Sequence, residues 1–287
     1  MFGALILGVA INIYFLCASE GSEFFSSCLC LSILVPVASS GINIEKVQFI
    51  QWFVGFSTAS YTKKSVVVFG SNLRSLVGCG RFSKQVSNMM VLAPYPKSVI
   101  VGLLLSDGWL SFASKTHKNA RLGFAQSATH AGYFWFVFFS LSHYCSNYPC
   151  LRNRTRGDKT TIGLQFFSRS LPCMTELHSL FYPNGVKIIP SNIYELLTPI
   201  ALAHLIMGDG DARPHGLIIC SNSYSIQDVV QLMNALTIRY RLDCNLRLKR
   251  QNNKIEYMIY IRQHSMPLLR TIISHHMHSS MVYKLGI

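Results

Sequence analysis

VIVGLLLSDGWL, residues 99–110, is an apolar run that ends in Asp107-Gly108. ALAHLIMGDGDA, residues 201–212, is a second such run, ending in Asp209-Gly210. The two aspartates lie 102 positions apart (209 − 107). Their flanks agree as well: LAPYPKSVIVGLLLSDG and LLTPIALAHLIMGDG each carry a proline a turn or two before the apolar stretch. One Asp-Gly pair is only a turn signal. Two of them, spaced by the length of a small domain, point to a duplication. A duplicated domain with one carboxylate per copy can bring both acids to a pseudo-twofold axis. Paired carboxylates there suit a divalent metal and symmetric chemistry on a two-stranded substrate.

The segments that follow each acid repeat in the same order. WLSFASKTHKNARLGFAQS reads as two short strands around a polar turn, and DARPHGLIICSNS as a shorter version. THAGYFWFVFFSLSHYC and SIQDVVQLMNALTIRY read as helices. Two basic hairpins come next, CLRNRTRGDKTTIGLQFFSR and CNLRLKRQNNKIEYMIYIR, and then the closing helices LPCMTELHSLFY and SMPLLRTIISHHMH. The expected fold is therefore α+β: two pseudo-symmetric αββαββα repeats, each with an antiparallel sheet. The expected boundaries are an apolar leader over 1–70, a first repeat with its lead-in over 71–187, and a second repeat over 188–287.

From about Ser71 onward the chain resembles the LAGLIDADG homing endonucleases, in the single-chain, two-repeat form encoded within group I introns of fungal mitochondria. The nine-residue family motif falls on IVGLLLSDG, Ile100 to Gly108, and on LAHLIMGDG, Leu202 to Gly210. The strings GLQFFSRSLPCMTELHSLFYPNGVKIIPSNIYELLTP and SSMVYKLG also match and are more specific than the motif. Leu105 and Met207 stand where the family name has its inner aspartate, a position that varies in the family. The resemblance implies two motif helices packed at the lobe interface, with the sheets forming a saddle over DNA. It makes Asp107 and Asp209 the metal-binding catalytic acids and Mg2+, or another divalent cation, the cofactor. It also implies a basic residue from each lobe near the cleavage centre. The matching positions are Lys187 and Lys284, 97 residues apart (284 − 187), each just after the last helix of its repeat. Close helix packing needs small residues, which Gly102, Ala201 and Ala203 supply. Asp107 and Asp209 fall at helix C-termini, where the dipole favours a cation. Gly108 and Gly210 are expected to let the chain turn sharply out of each helix.

The hairpins carry a second argument. Alternate residues of a strand share a face. Arg152, Arg154 and Arg156 therefore fall together, as do Asn245, Arg247, Lys249 and Gln251. Guanidinium and amide groups in such rows suit phosphates and major-groove base edges. Composition agrees: 26 Lys+Arg against 12 Asp+Glu gives +14 and a pI near 9.5, which fits a polyanionic partner. The partner expected is double-stranded DNA, with group I intron RNA as a second candidate and no protein partner required.

The nine cysteines form no regular framework and read as mostly buried small apolar thiols in a reducing compartment. His275, His276 and His278 lack a neighbouring Cys or carboxylate cluster to complete a zinc site. The aromatic run Tyr133–Phe139 is too short for a membrane span and reads as a core helix. In the leader, FGALILGVAINIYFLCA and FFSSCLCLSILVPVA leave three readings: membrane spans, an anchor, or a cleaved signal. No Lys or Arg precedes Lys46, which argues against a matrix-targeting presequence. The resemblance suggests instead an exon- or intron-derived leader on a mitochondrially encoded matrix protein. Three activities stay open: a monomeric metal-dependent DNA endonuclease, an RNA-binding maturase assisting intron splicing, and a membrane-anchored basic protein.

Overall fold

The computed structural model describes residues 11–14, 30–33, 73–156, 159–251 and 254–287. The chain divides into two compact units, residues 1–66 and 67–287. In the first, β1 (Ile11–Tyr14) pairs antiparallel with β2 (Cys30–Ile33), Ile11 opposite Ile33. The rest of the apolar leader lies outside the described residues. Among the described residues no helix is long and apolar enough to cross a membrane.

The second unit opens with α1 (Lys84–Met89) and then runs through the repeat twice. The first copy is α2 (Pro94–Leu105), β3 (Trp109–Phe112), β4 (Ala120–Ser127), α3 (Ala131–Leu141), β5 (Cys150–Arg156), β6 (Lys159–Phe167) and α4 (Pro172–Phe181). The short α5 (Ile193–Leu196) links to the second copy. That copy is α6 (Pro199–Asp209), β7 (Gly210–Arg213), β8 (Gly216–Cys220), α7 (Ile226–Tyr240), β9 (Cys244–Gln251), β10 (Lys254–Arg262) and α8 (Met266–Ile273), followed by a 3-10 segment over Ser279–Leu285. Each copy folds its strands into a four-stranded antiparallel sheet, ordered β3-β4-β6-β5 and β7-β8-β10-β9. The expected αββαββα duplication is the observed fold.

Local chemistry explains the helix starts. Pro94, Pro172, Pro199 and Pro267 sit in the first turns of α2, α4, α6 and α8, where a missing N–H costs nothing. Thr198 caps α6 by accepting from the Ala201 N–H. Ser225 and Asp228 form a reciprocal capping box on α7.

One continuous core runs through both copies, and α2 and α6 lie within it. Both are apolar all round and are buried over Ser98–Leu105 and Ala201–Met207. A helix without a polar stripe must be covered on every side, so these two pack on each other and on both sheets. Tyr133, Phe134, Val137 and Phe138 of α3 join the core, as the aromatic run suggests, whereas Trp135 and Phe139 remain exposed. The lead-in also belongs to this unit. Leu76 is buried, and the Arg169 guanidinium donates to the carbonyls of Leu76, Cys79 and Gly80.

Candidate active centre

The two motif helices meet at glycine. A Cβ on Gly102 would lie 2.5 Å from the Ala201 carbonyl oxygen and from His204 Cβ. A Cβ on Gly208 would lie 2.5 Å from Ser106 Cβ and 3.4 Å from Asp107 Oδ2. Contact thus advances from Gly102 and Ala201 to Ser106 and Gly208, so the helices run side by side in the same sense. They come together at their acid-bearing ends. Ala203 is fully buried in the same helix.

Asp209 is the last residue of α6, whereas α2 stops at Leu105, two residues before Asp107. Ser106 is the reason. Its Oγ donates to the Gly102 carbonyl at 3.1 Å, and its backbone leaves the helical region (φ −122°, ψ −117°). The following glycines work differently from the expected sharp turn. Gly210 has φ −73° and ψ 142°, which any residue adopts. Instead, a Cβ on Gly210 would come within 2.5 Å of the Ile206 carbonyl oxygen, and one on Gly108 within 2.9 Å of the Leu103 carbonyl oxygen. Glycine is needed because each chain folds back against its own helix end.

Both lysines named from the sequence reach this point. Lys187 Nζ donates to the carbonyls of Ser106 (3.1 Å) and Gly108 (3.0 Å), on either side of Asp107. Lys284 Nζ donates to the Gly208 carbonyl at 2.6 Å, just before Asp209. Ser106 and Gly208 are equivalent motif positions, so the lysines repeat one contact in the two lobes. Each fills orphan acceptors at a helix C-terminus.

The electrostatics are uneven. Asp107 is exposed and accepts from Gln126 Nε2 at 2.5 Å. Asp209 is more enclosed; burial pushes its carboxyl up to about 7, the Asp107 charge adds to this, and Lys187 and Lys284 oppose it. Burial brings Lys187 down to about 8 and also lowers Lys284, while both aspartates pull the two ammonium groups the other way. Two carboxylates and two ammonium groups therefore act on one another in a partly dry pocket.

Several residues here had no signal in the sequence. Gln126 holds Asp107 from β4. Tyr224, from the second lobe, donates its hydroxyl to the Leu104 and Leu105 carbonyls at 3.2 Å, closing the end of α2. Its ring lies 5.9 Å from Lys187 Nζ. Tyr133 of α3 and His204 of α6 join the lobes through a 3.0 Å hydrogen bond between Oη and Nδ1. Burial drives the His204 imidazole down to about 3, so it is neutral. Gly208 alone had a visible hint: glycines flank Asp209 on both sides.

The donor set fits a hard divalent cation. Asp107 and Asp209 supply carboxylate oxygens, the ligands Mg2+ prefers, and Mg2+ completes its shell with water and phosphate oxygens. Among the described residues no cluster of three or more His, Cys, Asp or Glu side chains is disposed to hold a metal, His275, His276 and His278 included. The described cysteines are all free, but only Cys145 and Cys173 are buried; Cys220 and Cys244 are half-buried and Cys79 and Cys150 exposed, so the expected burial of the thiols does not hold for most of them.

The basic hairpins lie on the sheet faces turned away from the helices. Arg152 is opposite Gly163 and donates to Gln165 Oε1 at 3.2 Å on that face. In the second lobe Asn245, Arg247 and Lys249 stand opposite Tyr260, Met258 and Glu256, alternating with the core-facing register of Ile259 and Ile261. Asn245 Oδ1 also accepts from Arg262, which is paired with Asp243 at 3.2 Å. Arg154, Arg156 and Gln251 continue the two strands in register, but their side chains lie outside the described part.

Comparison with known proteins agrees with this geometry. Residues 97–269 match the model of the LAGLIDADG DNA endonuclease family, and the chain belongs to that family. It is 31% identical over 192 residues to the cytochrome b mRNA maturase bI2 of Debaryomyces hansenii, covering 66% of this chain and 72% of that protein. The maturase bI2 of Saccharomyces cerevisiae is also 31% identical, over 200 residues, covering 66% of this chain and 47% of that longer protein. The intron-encoded endonuclease ai4 of Dictyostelium discoideum is 30% identical over 158 residues, covering 53% of this chain and 98% of that protein. Among solved structures, the fold matches the homing endonuclease I-WcaI bound to its DNA recognition sequence. The TM-score is 0.64 at 22% identity, covering 73% of this chain and 96% of that one.

Proposed function

We propose that this protein is a site-specific endonuclease that makes a double-strand break in an intronless DNA target by metal-dependent hydrolysis, as in intron homing. The observation that carries this reading is the convergence of Asp107, Asp209, Lys187 and Lys284 on the joined ends of α2 and α6. One acid and one ammonium group come from each lobe, matching two strands with one scissile phosphate each. The sheet faces, with Arg152, Asn245, Arg247 and Lys249, set the duplex over that centre. Arg154, Arg156 and Gln251 extend the same rows.

A divalent cation held by Asp107 and Asp209 would supply an activated water and stabilise the leaving 3′ oxygen. Gln126 fixes the orientation of the Asp107 carboxylate. Lys187 and Lys284 place positive charge where negative charge builds on each phosphate. Their anchoring carbonyls keep that charge in place before DNA arrives. No covalent intermediate is required, so no side-chain nucleophile is needed. The relatives named as cytochrome b mRNA maturases and the resemblance to fungal intron proteins support a mitochondrial origin and action in the matrix, by a monomer.

The test is incubation of the purified chain with a duplex spanning the joined exons of its host gene, with and without magnesium. Linear product only with the cation is the expected result; intact duplex under both conditions defeats the reading. A second activity, assistance to splicing of the host intron RNA, is favoured by one observation: two relatives at 31% identity are named as maturases. Stimulated splicing of that RNA by the Asp107→Asn variant would establish it apart from cleavage.

A further inference from the structure

The outward sheet faces carry one arrangement in both lobes. Trp109 and Asp211, each two residues past a motif aspartate, pair with Gly123 and Ile218. Those residues pair in turn with Phe167 and Tyr260. The two aromatic rings thus occupy equivalent places, two strands across from the residues that follow the motif acids. Their strand neighbours Phe166, Ile259 and Ile261 face the core, so the rings face the other way.

A guanidinium lies over each ring. Arg121 Cζ is 4.1 Å from the Phe167 centroid, and Arg247 Cζ is 3.5 Å from that of Tyr260. Arg121 comes from β4 and Arg247 from β9, on opposite sides of their central strands, so the device is shared although the sequence carrying it is not. Both rings are themselves fixed. Trp109 meets Phe167 edge-on at 6.0 Å and covers Gly123, where a Cβ would overlap the indole. The Tyr260 hydroxyl donates to the His215 carbonyl at 2.5 Å. Neither guanidinium has a hydrogen bond or ion pair to another described residue. Arg152 and Arg262 differ in this respect, being held by Gln165 and by Asn245 with Asp243.

An exposed arginine normally loses rotamer freedom on binding. Stacking removes much of that loss beforehand and fixes the plane of the donor fork. A planar fork held on a sheet that enters the major groove matches guanine O6 and N7. A phosphate contact has no such need for a fixed plane and carries no sequence information.

We infer that Arg121 and Arg247 each read a guanine, one in each half of the target, with Phe167 and Tyr260 aiming them. The inference rests on the proposal that these faces dock on duplex DNA. It adds Arg121, a strand residue outside both basic hairpins, to the residues that select the site.

The experiment is selection of bound duplexes from a randomised library without divalent cation, using the full chain and four variants: Arg121→Ala, Arg121→Lys, Arg247→Ala and Arg247→Lys. The wild type should return one asymmetric consensus with a fixed guanine in each half. Each Ala variant should lose the preference for one guanine only, with affinity for the consensus falling roughly 5- to 150-fold. Each Lys variant should keep the salt dependence of binding but lose the same preference. Replacing that guanine by 7-deazaguanine should weaken wild-type binding and leave the corresponding Ala variant unaffected. A wild type that selects no consensus defeats the DNA reading itself. A consensus whose guanines survive all four substitutions overturns this inference alone. Equal weakening on every duplex also overturns it, because it identifies phosphate contacts. Circular dichroism separates misfolded variants from weakened ones, and the Lys variants preserve charge and most of the packing.

Discussion

Replacing Asp209 by Asn should make the cation-free protein more stable while abolishing cleavage. The Asp209 carboxyl titrates near 7 in the folded chain against an ordinary 3.8, chiefly through burial and then through the Asp107 charge. The native state therefore keeps this proton to higher pH than the unfolded chain does. Stability falls as pH rises between about 4 and 7, and the loss persists above 7. At 1.36 kcal/mol per pH unit, a difference of about three units sets an upper bound of about 4 kcal/mol. Relaxation and solvent screening around a partly enclosed carboxylate reduce this to roughly 1–3 kcal/mol. Asparagine keeps the shape and never ionises, so it removes the whole of that cost. Urea denaturation in EDTA at pH 8.5 should place the variant about 1–3 kcal/mol above wild type, and at pH 3.5 the two should coincide. Magnesium should narrow the gap at pH 8.5, because it stabilises the state that binds it. DNA binding should persist. An Asp209→Asn protein no more stable than wild type at pH 8.5 in EDTA would refute the electrostatic reasoning, and normal cleavage would refute the role of the acid.

Lys187→Met and Lys284→Met should each lower the single-turnover cleavage rate far more than DNA affinity, and each should leave an excess of one nicked strand on a gel; equal losses of rate and binding would reduce both lysines to backbone supports. The Lys187 contribution should fade as pH rises past about 8, where its ammonium group loses its proton. Arg152→Ala or Lys249→Ala should weaken binding and lower the slope of log affinity against log salt by about one unit if the residue meets a phosphate, as fluorescence anisotropy would show. Gly102→Ala forces a methyl group against the Ala201 carbonyl and should cost about 1–3 kcal/mol by denaturant unfolding. A chain beginning at residue 71 should cleave like the full protein and be more soluble, whereas one beginning at residue 83 loses the buried Leu76 and the carbonyl partners of Arg169 and should unfold more readily.

Repetition made much of this molecule readable from its sequence. The acids, the basic hairpins and the two lysines each occur twice at similar spacing, and two weak signals at matching positions make a strong one. The succession of helices and strands followed from hydrophobic pattern and turn signals, whereas the order of strands within each sheet, β3-β4-β6-β5 and β7-β8-β10-β9, was not legible. Residues that occur once left no such mark. Gln126 acts across 19 positions within its own lobe, whereas Tyr224 and the Tyr133–His204 bond act across 119 to 120 and 71 positions and join the lobes, so the meaning of these last depends on how closely the two motif helices approach. That approach is tight at Gly102, which the sequence marked as a small contact residue, and at Gly208, whose role it did not give. The glycines after the aspartates show the same limit: the sequence suggested a turn, whereas the cause is crowding by a carbonyl four or five residues earlier.

Duplication of sequence also does not duplicate environment. Ser106 ends α2 before Asp107, which is exposed and bonded to Gln126, while α6 continues through Gly208 to Asp209, whose half-buried carboxyl feels Asp107 and two lysines. Acids at matching positions thus sit in unequal surroundings. The sheet faces diverge in parallel, with Trp109 over Gly123 in one lobe where Asp211 stands beside Ile218 in the other. A homodimer of either repeat would face a palindrome with two identical centres. Joining unequal copies in one chain removes that restriction. On the proposed reading, each half of the DNA would meet its own set of side chains, and each scissile phosphate its own electrostatics. The inequality between the lobes would then be the physical basis for recognising an asymmetric site.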